Sequence, residues 1–105
     1  MHADIAEKQQ ELIALCQRFD VARLEVFGSA ARETGFDAAR SDADFLVDFK
    51  STSALAPLER FLGLAEALER LLGRPVDLVE RKALEQSRNY IRRQSILKDA
   101  TAVYG

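Results

Sequence analysis

Two carboxylates one residue apart, Asp42 and Asp44, stand in the run "SDADFLVDF", whose other residues read as the core of a β-strand. Two ionised carboxylates held close repel, which raises a pKa or costs stability unless a cation compensates. On a strand, residues i and i+2 project to the same side with α-carbons about 6–7 Å apart. That spacing suits joint ligation of one hard cation, or bridging of two ions roughly 3.5–4 Å apart. Magnesium matches this donor set, because it takes oxygen ligands and is usually completed by water and substrate phosphates. A transition metal does not, since only His2 and Cys16 offer softer ligands.

The matching half is Gly28-Ser29, at the end of the apolar run "VARLEVF". Glycine lets a backbone approach a phosphate closely, and a helix starting after Ser29 would present unpaired N–H groups and a positive dipole end. A metal-bound triphosphate cradled at a helix start and clamped by carboxylates on the next strand describes phosphoryl or nucleotidyl transfer. Catalysis there is mostly positioning and charge neutralisation. Each half alone is a weak signal, since Gly-Ser is a common turn pair and Asp-x-Asp is common at solvated strand edges. Their combination is far more specific.

The elements that must position these residues follow from the apolar pattern. Ile5, Leu12, Leu15, Cys16 and Phe19 predict an amphipathic helix over residues 4–19. A strand over 21–27 ends at Gly28, a short helix covers Ala30 to Glu33 with Gly35 as its stop, and residues 36–41 form a loop. In "DADFLVDF" Ala43, Phe45, Val47 and Phe49 face one way, and Asp42, Asp44, Leu46 and Asp48 the other. The next helix has Pro57 in its first turn, a stripe of Leu58, Phe61, Leu62, Ala65, Leu68 and Leu72, and Gly73 at its end. A third strand, "PVDLVE", begins at Pro75, and from Lys82 the chain is helical in two pieces that break near Asn89. The order is α-β-α-β-α-β-α in one domain spanning 1–105, an α/β layer with helices on one face of a small sheet. By parity Asp42, Asp44 and Asp77 share the opposite face, whereas Glu80 falls on the helix side.

Composition agrees with a single soluble domain: 48% of residues are hydrophobic and 30% charged, enough for one core. The formal net charge of −2 gives no global attraction to nucleic acid or anionic membrane. Charge is nevertheless uneven. Arg81, Lys82, Arg88, Arg92, Arg93 and Lys98 crowd the segment 81–98 against Glu85 alone, as a solvated helix face or as a docking surface for an acidic partner or nucleotide phosphates. A single cysteine excludes an internal disulfide, and Cys16 lies at core spacing. No run approaches the roughly 20 apolar residues of a membrane span, and the acidic, Gln-rich start is unlike a signal peptide, so a cytoplasmic protein is expected.

"FGSAAR", "SDADFLVDF" and "PVDLVE" together resemble the polymerase-β-type nucleotidyltransferase superfamily, and most of all its minimal, MntA-like stand-alone members. The resemblance covers nearly the whole chain, including the ending "SILKDATAVYG". It implies an α+β palm-like nucleotidyltransferase fold with a small mixed sheet. Gly28 and Ser29 would hold nucleotide phosphates, with Arg32 neutralising triphosphate charge and Ser41 shaping the loop. Asp42 and Asp44 would bind magnesium, and Asp77 would be the third carboxylate, ligating metal or taking the proton from an attacking hydroxyl. Ala43 replaces the larger aliphatic residue common between the first two acids. Minimal members lack an acceptor-binding domain and are typically encoded beside a HEPN-domain RNase toxin. The resemblance therefore implies an antitoxin that transfers AMP from ATP to a tyrosine hydroxyl of that toxin. The alternative is an antitoxin that neutralises by steric contact and keeps the acids as relics. The toxin's own arginine–histidine signature is absent, since the only histidine is His2.

Overall fold

The structure is a computed structural model that describes residues 3–28 and 43–105. Its elements are α1 (Ala3–Ala6), α2 (Gln9–Arg18), β1 (Val21–Phe27), β2 (Ala43–Phe49), α3 (Pro57–Leu72), β3 (Val76–Glu80), α4 (Arg81–Glu85), α5 (Tyr90–Asp99) and β4 (Thr101–Tyr104). The expected short helix over 30–33 and the loop over 36–41 lie outside the described residues.

The four strands form one mixed sheet in the order β3-β2-β1-β4. β1 runs antiparallel to both β2 and β4, and β2 runs parallel to β3. The parallel pair needs a crossover, and α3 supplies it. Pro57 opens α3 after an extended Ala56; Gly73 closes it at φ 67°, its N–H donating to the Glu69 carbonyl at 2.8 Å.

One face of the sheet carries the main core. Val21, Leu24 and Val26 of β1, Phe45, Val47 and Phe49 of β2, and Leu78 of β3 pack there against Leu12 and Cys16 of α2 and Leu64 and Leu68 of α3. The alternation expected for β2 and β3 is therefore present, with Glu80 on the helix side of Asp77. The stripe expected on α3 is rotated. Leu64 and Leu68 are its fully buried residues, while Leu58 and Leu62 are 68% and 55% exposed. α3 is apolar over more than one face, so packing against α2 and β3 selects the buried one.

Three further features depart from the sequence expectation. The first helix is interrupted at Glu7–Lys8, where the Lys8 N–H donates to the Ile5 carbonyl at 3.2 Å and Lys8 Nζ donates to the Leu71 carbonyl at 3.0 Å. Residues 101–104 form a strand on the free edge of β1 rather than continuing the last helix. The second face of the sheet is not bare either. Leu84 of α4 and Ile96 of α5 bury themselves there against Phe27 and Leu46, forming a smaller apolar cluster. No helix of the described residues is long and apolar enough to cross a membrane.

The basic segment is partly consumed by this second layer. Arg81 Nη1 donates to Glu25 Oε1 at 2.5 Å, and Arg23 Nε lies 3.2 Å from the same oxygen, so the nearly buried Glu25 is doubly paired. Arg93 donates from Nη1 to the carbonyls of Ser87 (3.1 Å) and Glu85 (3.4 Å), tying α5 back to the end of α4.

Candidate functional site

β1, β2 and β3 bring three residues into one row across the sheet: Phe27 pairs with Asp44, and Asp44 pairs with Asp77. Paired residues on neighbouring strands project to the same side, with the strands about 4.8 Å apart. Asp44 and Asp77 therefore stand side by side on the second face, Asp44 half-buried and Asp77 exposed. The strand period dictates this, because each acid is flanked by residues on the main-core side: the buried Ala43 and Phe45, and the partly buried Val76 and buried Leu78.

Gly28 follows Phe27 directly, and there the backbone turns at φ +69°. A Cβ at this position would lie 2.6 Å from Asp44 Oδ2. Left-handed backbone and close approach both require glycine. The turn that ends β1 is thus built against the Asp44 carboxylate, which links the two halves of the motif physically.

Asp44 and Asp77 open into a cleft of about 660 Å³, whose other walls are Phe27 and the α5 side: Asn89, Ile91, Arg92, Ser95 and Ile96. Ile96 anchors α5 through the apolar cluster with Phe27. Asn89 caps the helix, its Oδ1 accepting from the Arg92 N–H at 3.0 Å. Acids on strand ends face a helix carrying arginine across a space large enough for a small-molecule ligand.

Of the residues singled out from the sequence, Gly28, Asp44 and Asp77 come together here. Ser29, Arg32, Ser41 and Asp42 lie outside the described residues. Among the described residues no group of three or more acids, histidines or cysteines gathers to hold a metal. The two acids present fit a hard cation: both supply carboxylate oxygens from facing positions on adjacent strands. The bare Gly28 backbone also leaves beside Asp44 Oδ2 the space that any side chain would fill. Of the α5 wall, the sequence offered Arg92 alone, within a basic run read as a solvated face or as a dock for an acidic partner or nucleotide phosphates. Its signals were local, a helix break at Asn89 and a basic run, and neither says which strand ends the helix will face.

Comparison with known proteins identifies the family. The model of the nucleotidyltransferase domain family matches residues 10–101. Over 71 residues the chain is 44% identical to the protein adenylyltransferase MntA of Thermococcus cleftensis, a match that covers 68% of this chain and 67% of that protein. A solved structure described as a minimal nucleotidyltransferase superposes with a TM-score of 0.72 at 30% identity, covering 96% of this chain and 95% of the other. The fold also recurs, with a TM-score of 0.62 at 20% identity, in a complex of tri-AMPylated Shewanella oneidensis HEPN toxin with its MNT antitoxin; 95% of this chain and 71% of that one are covered. The turn that closes on Asp44 and the second acid beside it are thus set in a shared framework: this chain belongs to the nucleotidyltransferase domain family, in its minimal form.

Proposed function

We propose that this chain is a magnesium-dependent protein adenylyltransferase that acts in the cytoplasm as the antitoxin of a HEPN RNase toxin. It would transfer AMP from ATP to a tyrosine hydroxyl of that toxin and so silence it. The observation that carries this reading is the adjacency of Asp44 and Asp77 in one cleft, with the Gly28 turn set so close to Asp44 that no side chain fits between them. The identity to MntA supports adenylyl transfer to protein as the form the chemistry takes.

In this reading the Gly28-Ser29 turn holds the phosphates, with Arg32 countering their charge and Ser41 shaping the approach to the acids. Asp42 and Asp44 hold magnesium, and Asp77 completes the set. Bound there, magnesium supplies charge neutralisation and alignment of the triphosphate. The acceptor's hydroxyl oxygen forms a bond to the α-phosphorus, and the bond from that phosphorus to the oxygen bridging to the β-phosphate breaks. Pyrophosphate leaves with the electron pair. Asp77, the most exposed of the described acids in the row, accepts the hydroxyl proton.

Intact mass of the partner HEPN protein, after incubation with this chain, ATP and magnesium, tests the proposal. A gain of one AMP residue or a multiple, absent with Asp44→Asn, is the expected result. No gain, together with RNase inhibition by both proteins, would leave a steric antitoxin.

A further inference from the structure

α5 is held to the rest of the molecule by one narrow face. Of its ten residues Ile96 alone is buried, against Phe27 and Leu46. Arg93 adds its bonds to the carbonyls of Glu85 and Ser87 and lies over the Tyr90 ring, 5.6 Å from its guanidinium carbon. The other side of the helix is left to solvent: Tyr90, Ile91, Gln94, Leu97 and Lys98 are all exposed.

Solvation does not call for this choice of residues. Tyr90, Ile91 and Leu97 are three of the five exposed large hydrophobic side chains among the described residues, and Ile91 is 79% exposed. Tyr90, Gln94 and Leu97 follow i, i+4, i+7 spacing and form one stripe, and Gln94 lies about 200° around the helix from Ile96. Charge in the same segment has one sign. From Gln86 to Lys98 stand Arg88, Arg92, Arg93 and Lys98, with no Asp or Glu among them. Of these, Arg88, Arg92 and Lys98 are exposed. Apolar side chains set among cations of a single sign suit a protein surface that is apolar and rich in carboxylates.

This face is continuous with the acidic cleft. Ser95 lines both that cleft and a second hollow of about 630 Å³, whose other walls are Gln94, Leu97 and Lys98. A macromolecule seated on the outer side of α5 therefore has its own surface at the rim of the space that holds Asp44 and Asp77.

We propose that the outer face of α5 docks the protein that receives the AMP group, through an apolar patch ringed by carboxylates on that protein. This rests on the transfer reading above and names the surface that brings the acceptor hydroxyl to the cleft. A nucleotide is a poorer occupant, since phosphates make no use of Tyr90 and Leu97. A second copy of this chain is poorer too, because two such faces laid together about a two-fold axis would set cation against cation.

Titration calorimetry of the partner HEPN protein into wild type, Leu97→Asp, Lys98→Glu and Lys98→Arg, at low and high salt, tests it, with AMP-PNP and magnesium titrated into each in parallel. None of these positions lines the acidic cleft. The expected Kd for the partner protein rises at least about tenfold in Leu97→Asp and in Lys98→Glu and stays near wild type in Lys98→Arg, and wild-type affinity falls as salt rises. AMP-PNP affinity and the urea midpoint should not move. Lys98 is exposed, so Lys98→Glu still decides the matter if Leu97→Asp unsettles the fold. Unchanged partner binding in Lys98→Glu, or a wild type that does not bind the partner, would overturn the proposal. Lost AMP-PNP affinity with partner affinity intact would give the face to phosphates, and a chain that sediments as a dimer in wild type and as a monomer in Leu97→Asp would give it to a second copy; either overturns it. The transfer reading fails separately, if wild type binds the partner yet adds no AMP to it, and the variants still decide the docking face.

Discussion

A methyl group placed on Gly28 would sit 2.6 Å from Asp44 Oδ2, so the turn that ends β1 leaves room beside that carboxylate for glycine alone. Gly28→Ala meets two penalties at once. Left-handed backbone costs a non-glycine residue about 1–2 kcal/mol, and the contact forces the carboxylate to move. The expected outcome is a loss of about 2 kcal/mol in urea unfolding with nucleotide transfer reduced at least about a hundredfold. A variant that kept full transfer would show that Asp44 need not stand where Gly28 permits.

Asp77 separates chemistry from stability. It is exposed, and it stands beside a like charge at Asp44. Asp77→Asn should leave unfolding stability within about 0.5 kcal/mol of wild type, or raise it slightly through relieved repulsion. AMP transfer should fall by about two orders of magnitude or more. Parallel denaturation and transfer assays would find a structural role instead if the two fell together.

Glu25 has the opposite character. It is 5% exposed, sits two residues before Phe27 on the same strand face, and pairs with Arg81 and Arg23. Glu25→Gln keeps the shape and removes the charge, at a cost of about 1–2 kcal/mol. Because the pairing holds α4 onto β1, the loss should appear as a lower urea midpoint, with transfer reduced only in proportion to the folded fraction.

Burial pushes the Cys16 thiol up from 9.0 to about 12. Between those values the unfolded chain loses the proton and the folded chain keeps it, so the folded state binds more protons and stability falls as pH rises. The stabilising difference is fully present below pH 9 and is spent by pH 12, at up to about 1.4 kcal/mol per pH unit. Cys16→Ala should remove this part of the alkaline slope while costing some core packing. At neutral pH the native thiol should react with a thiol reagent only as fast as the protein unfolds.

Gly63 sets helix propensity against packing. Alanine is worth about 1 kcal/mol more than glycine in a helix interior, but its Cβ here would lie 2.7 Å from Phe19 Cε1. Overpacking costs about 1–3 kcal/mol and should win, so Gly63→Ala is expected to lower stability by about 1 kcal/mol. A higher melting temperature would mean that the Phe19 ring swings aside freely.

Much of this arrangement was legible in the sequence because it is local and periodic. Alternation in "DADFLVDF" and "PVDLVE" placed Asp44 and Asp77 on one face, since burying Phe45, Val47 and Leu78 leaves those acids no other side. What escaped was set by distant partners. Leu58 and Leu64 are equally apolar, and only the packing of α3 on α2 and β3 decides that Leu64 goes in. Thr101–Tyr104 is too short to show a strand period, and its pairing depends on an edge of β1 far away in the chain. Asn89 and Arg92 line the cleft because Ile96 docks on Phe27, a contact between residues far apart in the chain.

The position of β4 has a consequence in time. β1 is an interior strand only because Leu24 finds Tyr104 and Val26 finds Thr101. Pairings that close so long a loop form late and slow the search for the native state. During synthesis, residues 21–28 are made well before β4, so the turn facing Asp44 gains its full support only when residues 101–104 arrive. Fragments that stop before position 101 carry the motifs with one edge of β1 unpaired.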